Sequence, residues 1–199
     1  MSTAEILERL IETAPAVIAA TAKPEVAGRC ILATRLGLEV LRACGVQAEP
    51  WPVEALALNA AGVAWEDRGR QGDPRALGVR ILHVSPDAEG PGIGGHLLIR
   101  VRAADLPGGW AVVDLDARQF QRPAIVREGV AVGAIDLPDA LWWPTASPEG
   151  PWTAQCDTGA FLGYRTLPGL RYRHSPDWRV VWDGDRRRLI GSLVRAVRG

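Results

Sequence analysis

Three side chains in this sequence have the types and order needed for nucleophilic catalysis: Cys30, His96 and Asp114. A thiolate is a strong nucleophile, a histidine can relay its proton, and a carboxylate can hold the histidine in one orientation. Cys30 falls in the first turn of a predicted helix. Free backbone N–H groups and the helix dipole favour negative charge there. It also lies near the edge of that helix's apolar face, which is equally the place of a buried structural thiol. Cys44, three to four turns on, reads as a small core residue, and Cys156 lies in an irregular stretch. Of the three histidines, His96 opens a strand behind Gly94-Gly95. His83 sits within an apolar strand, as an interior or edge residue, and His174 lies in an arginine-rich, solvated segment. Asp114 ends the apolar run Trp110-Ala111-Val112-Val113, so a hairpin through Pro107-Gly109 sets it beside the His96 strand. Asp116, two residues on and on the same face, is the alternative orienting group.

The elements that must position these residues follow from periodicity. Ser2 and Glu5 have the spacing of a capping box, and Ile6, Leu7, Leu10, Ile11 and Ala14 recur at helical spacing up to a break or kink at Pro15. Lys23-Pro24 punctuates. A second helix begins near Arg29, buries Ala33, Leu36, Gly37, Val40, Leu41 and Cys44, and is capped at Gly45. The period then shortens to two. A strand carries Val53, Ala55 and Ala57 behind the entry Pro50-Trp51-Pro52, and residues 66–78 form a surface loop. Further strands are predicted over 80–84, 96–102 and 110–115. The Pro/Gly-rich residues 85–95 form a loop before His96 that could act as a flap. It leads into a strand and lacks a following Lys-Ser or Lys-Thr, so it is not a phosphate-binding loop. Residues 137–152 give no clear period. Residues 161–167 and 170–174 read as a late hairpin, and 186–198 as an amphipathic helix. Helices in front of strands indicate an α+β fold.

Composition narrows the function classes. The chain has 199 residues, 47% apolar and 23% charged, with 23 basic against 23 acidic groups, which suits one domain over 1–199. Zero net charge argues against a nucleic-acid-binding role. No run reaches the length of a membrane span, and no leader-like order opens the chain, so a cytoplasmic protein without membrane contact is expected. Three irregularly spaced cysteines make no disulfide framework, and no closely spaced Cys or His pair suggests a zinc site. No metal or cofactor is expected. Residues 165–199 carry nine arginines against three aspartates. This arginine-rich extension reads as docking on the acidic remainder, with an anionic partner at Arg186, Arg187 and Arg188 as the alternative.

The phrase Leu41-Arg42-Ala43-Cys44-Gly45-Val46-Gln47-Ala48 behind Cys30, the strand opening at His96 and Trp110-Ala111-Val112-Val113-Asp114 together resemble the transglutaminase-like branch of the papain-like cysteine-enzyme fold. The resemblance spans roughly residues 28–123. It implies N-terminal helices packed on an antiparallel sheet, with Cys30, His96 and Asp114 as a triad. The sequence departs from that family at Arg29 and Ile31 beside the cysteine, and at Leu97 and Leu98 after the histidine, where aromatic residues are often found. A typical protein-crosslinking transglutaminase is therefore not implied. Arylamine N-acetyltransferases share the triad, but their Arg-Gly-Gly-x-Cys phrase is reduced here to Gly28-Arg29-Cys30. The activity implied is cysteine-dependent acyl chemistry on a peptide, protein or small amide, as a peptidase, deamidase or amide hydrolase. An acyltransferase using a thioester such as acetyl-CoA is the alternative within enzymes, and a non-catalytic binding module of the same fold the alternative outside them. One oxyanion donor would be the Cys30 backbone N–H. Papain-like proteases place a glutamine just before the cysteine, and residues 1–29 contain none. Gln119 follows the Asp114 strand closely enough to border the site. Trp142, Trp143 and Trp152 could wall a cleft or pack on the sheet.

Overall fold

Ser2 and Glu5 form the reciprocal cap that their spacing predicts. The Ser2 backbone N–H donates to Glu5 Oε2 at 2.7 Å and the Glu5 N–H to Ser2 Oγ at 3.2 Å. They open α1 (Thr3–Thr21), which does not break at Pro15. Ala14 and Ile18 carry the buried stripe across the proline, and that packing offsets the one backbone hydrogen bond the ring removes. In this computed structural model the described residues are 1–21, 29–84, 95–121, 135–169, 171–179 and 183–199. The Lys23-Pro24 break, Gly28 and residues 85–94 of the expected flap lie outside them.

The second helix, α2 (Arg29–Ala43), has the predicted limits. Gly45 adopts φ 77°, its N–H donates to the Arg42 carbonyl, and the Val46 N–H reaches back to Leu41. This is a Schellman stop, and the positive φ explains the glycine. Leu36, Val40 and Leu41 are fully buried, each contributing about 1.5–3 kcal/mol by its removal from water. A Cβ at Gly37 would overlap Ile99 and Leu115, so glycine lets the helix lie close on the sheet.

The chain then enters β1 (Gln47–Leu58), which starts earlier than expected and contains Pro50 and Pro52 in its interior. Both prolines are tolerated because of register. Residues 47–53 pair with β3 (His96–Arg102) on one side, whereas β7 (Phe161–Thr166) joins the other side only from Val53 onward. Pro52 presents its carbonyl to Leu167 on that second side, and Pro50 has the same parity, so neither ring nitrogen faces β3.

Helix α3 (Ala60–Asp67) was not expected. Its signal is Asn59, whose side chain accepts from the Gly62 N–H at 2.8 Å. Residues 68–78 form the anticipated turn region. Next come β2 (Ile81–Val84), paired with β1, then β3 and β4 (Trp110–Asp114). Residues 137–152 hold β5 (Leu141–Thr145), and β6 (Trp152–Gln155) follows. The late hairpin is β6 with β7, and not 161–167 with 170–174; residues 172–174 make a 3-10 turn. Two short alternating runs cannot reveal which neighbour each will pair with.

Among the described residues the sheet has seven strands, all antiparallel, in the order β5-β4-β3-β1-β7-β6 with β2 also on β1. The fold is thus α+β. One face, with Ile99, Val101, Ala111 and Val113, packs on α1, α2 and the last helix, α5 (Gly184–Arg198). The tail docks there through buried Leu193 and Val197, and Arg9 Nη1 donates to the Val197 carbonyl. The other face, with Val53, Leu98, Val112 and Tyr164, lies under Phe120, Ile135 and Leu137. No helix among the described residues is long and apolar enough to cross a membrane.

The β3–β4 turn sets the register of the strands that bear His96 and Asp114. Gly108 and Gly109 both have positive φ there, 75° and 77°. A Cβ on Gly108 would lie 2.7 Å from the Thr145 carbonyl oxygen, whereas one on Gly109 would meet nothing. Gly109→Ala should therefore destabilise by about 1 kcal/mol, the left-handed penalty alone, and Gly108→Ala by about 3 kcal/mol or more. Urea midpoints of the two variants check the order. Equal losses would mean that the turn yields freely at Thr145.

Candidate active site

α2 is tied to β3 beside the site. Thr34, buried on α2, donates its hydroxyl to the Leu97 carbonyl at 3.0 Å. One turn earlier, Cys30 packs with Ile31, Leu97, Tyr172 and Trp178, and its side chain hydrogen-bonds His96. His96 is the first residue of β3, and its Nε2 lies 2.8 Å from Asp114 Oδ2 at the end of β4. The structure thus brings together all three residues singled out as nucleophile, base and orienting group. They are 4%, 1% and 1% exposed, respectively.

Asp114 is held from two further directions. Its Oδ1 accepts the Asp116 backbone N–H at 3.0 Å, and its Oδ2 accepts the Tyr164 hydroxyl at 2.8 Å. Asp116, the alternative orienting group, therefore supports the site through its backbone. The Asp114 carboxylate is the group on the imidazole. Tyr164 was not recognised from sequence. It lies on β7, 50 residues from Asp114, and nothing in a six-residue strand reveals what faces it across a sheet. Trp143 stacks on Tyr164 at 5.6 Å, and Phe120 meets the His96 ring edge-on at 5.2 Å. Gln119 reaches further into the site than expected. It is 4% exposed, and its amide nitrogen contacts His96 Nδ1.

Burial alone would push the His96 proton off, but the Asp114 carboxylate and the Cys30 hydrogen bond outweigh it and raise the ring to about 10. His96 is accordingly an imidazolium at neutral pH, poised as an acid. Burial first, and then the charge of Asp114, push the Tyr164 hydroxyl well above its ordinary range, so Tyr164 stays a donor.

The remaining candidates are elsewhere. His83 is a half-exposed residue on β2, 3.2 Å from Glu54, and His174 is exposed near Arg179. Cys44 packs against the helical core, and Cys156 is half-buried in the turn between β6 and β7. Trp152 meets Trp51 edge-on at 6.3 Å within the second core. Among the described residues no three His, Cys, Asp or Glu side chains gather as metal ligands.

No known family profile matches the chain, and no curated protein does. A crystal structure described as "genomics APC5867" is similar at 16% identity and a TM-score of 0.43, over 99% of this chain and 78% of the other. A likeness that distant carries no argument about chemistry.

Proposed function

We propose that this protein is a cysteine-dependent enzyme acting on an amide, as a peptidase, deamidase or amide hydrolase, through Cys30, His96 and Asp114. The observation that supports this reading is the buried chain of hydrogen bonds from Cys30 through His96 to Asp114. Its members come from a helix start and two neighbouring strand ends. We propose the papain-like, transglutaminase-like architecture on the same grounds.

The Cys30 thiolate attacks the carbonyl carbon, and the Cys30 backbone N–H at the start of α2 stabilises the oxyanion. His96, protonated at rest, gives its proton to the leaving nitrogen as the C–N bond breaks. The neutral ring then takes a proton from water, which attacks the thioester and releases the acid. Asp114 keeps the ring oriented throughout. An amine in place of water would make the same intermediate an acyl donor.

The test uses iodoacetamide from pH 5 to 9, with the modified cysteine located by peptide mass spectrometry. Burial alone would make Cys30 the slowest thiol, since Cys44 and Cys156 are half-buried. The expected result is preferential alkylation of Cys30, slowed in His96→Ala. Alkylation of Cys44 and Cys156 ahead of Cys30 at every pH would refute the proposal.

A further inference from the structure

Gln119 lies in the 3-10 turn Ala117–Gln121, a few residues beyond Asp114, with its backbone N–H on the Asp116 carbonyl. Its amide nitrogen contacts His96 Nδ1 and lies 3.4 Å from Nε2. Among the described residues that nitrogen has no other hydrogen-bond partner. Nε2 is committed to Asp114, so the hydrogen bond with Cys30 falls to Nδ1. The cysteine and the amide converge on one ring nitrogen, which makes Gln119 a neighbour of the sulfur.

That convergence has a chemical consequence. Nδ1 accepts the Gln119 N–H only while it carries no proton. Once Nδ1 holds the thiol proton it is itself a donor, and a buried amide N–H beside the thiolate loses its acceptor. The carbonyl oxygen of a bound acyl group supplies one as negative charge gathers on it. We propose that the Gln119 side-chain N–H is the second oxyanion donor, opposite the Cys30 backbone N–H; this rests on the reading of Cys30, His96 and Asp114 given above. The sulfur electron pair forms the S–C bond, and the carbonyl π pair moves to oxygen between the two donors. On collapse the pair returns, the C–N bond breaks and the Nδ1 proton goes to the leaving nitrogen. The interaction is strongest where charge is greatest, as transition-state stabilisation requires.

Two reagents separate this role from simple positioning of His96. Iodoacetamide alkylates a thiolate by displacement at carbon and forms no oxyanion. p-Nitrophenyl acetate acylates it through a tetrahedral oxyanion and releases p-nitrophenolate as the C–O bond breaks. Gln119→Met keeps length and burial but cannot donate. In that variant acylation should fall about 10²–10³-fold, while the alkylation rate and its pH profile stay within about threefold of wild type. Retained alkylation also shows that the site has assembled, and Gln119→Ala repeats the test with a smaller side chain. A parallel fall in both reactions would make Gln119 a positioning residue and overturn the proposal, as would unchanged acylation. If wild-type Cys30 is alkylated selectively but never acylated, the oxyanion role fails while the activated thiol stands. If Cys30 is not alkylated selectively, both readings fall.

Discussion

Replacing His96 with alanine is expected to slow acylation of Cys30 by p-nitrophenyl acetate about 10³-fold or more, measured as the first-turnover burst of p-nitrophenolate. His96 is the one side chain that touches Cys30, Asp114 and Gln119. Its loss removes the acid that pairs with the thiolate and strands the Asp114 carboxylate with the Tyr164 hydroxyl in a site closed to water. Asp114→Asn should fall between the variant and wild type, because the amide keeps the contact but not the charge that holds the ring protonated. A His96→Ala rate within tenfold of wild type, with folding confirmed by near-ultraviolet circular dichroism, would mean that the thiol reacts unaided.

The second large effect is on stability. Asp114→Ala leaves the imidazole without its counter-charge and the Tyr164 hydroxyl without its acceptor, all within the apolar second core. Breaking a buried, hydrogen-bonded ion pair from one side typically destabilises by about 3–5 kcal/mol. The lower end is expected here, because the freed ring can shed its proton. The pH dependence follows from the direction of the His96 shift. The folded state holds a proton up to about 10, which the unfolded chain releases near its ordinary value of 6.5. The native state therefore binds more protons between these values, and this contribution is complete below 6.5 and lost as pH rises through about 10. Wild-type urea midpoints should fall over that window and those of Asp114→Ala should stay nearly level, so the gap between them is widest at pH 6. A gap that widens with rising pH would show the ring to be neutral in the folded protein.

Local chemistry made much of this legible. The capping box at Ser2 and Glu5, the span of α2 with its Gly45 stop, and the limits of β3 all follow from short-range rules that tertiary contacts did not override. Cys30, His96 and Asp114 could be selected because few residues compete for such roles and each stands at an element's end, where a side chain can meet others. The errors have a common cause. Pro15 reads as a helix break, and Pro50 and Pro52 as a strand entry, because local rules assume that a missing N–H will be missed. Core packing on α1, and an edge of β1 left without a partner strand at 47–52, remove that assumption.

What the sequence alone determined is the set of groups and the elements that carry them, since periodicity and capping act over a few residues. Only the tertiary structure decided which groups meet. Tyr164 reaches Asp114 because β7 crosses beside β1 and not beside the segment that follows it. Gln119 reaches Nδ1 because the turn after β4 folds back over the sheet. Strand pairing is chosen by the burial of whole faces, an energy summed over the molecule, and no window of sequence contains that sum.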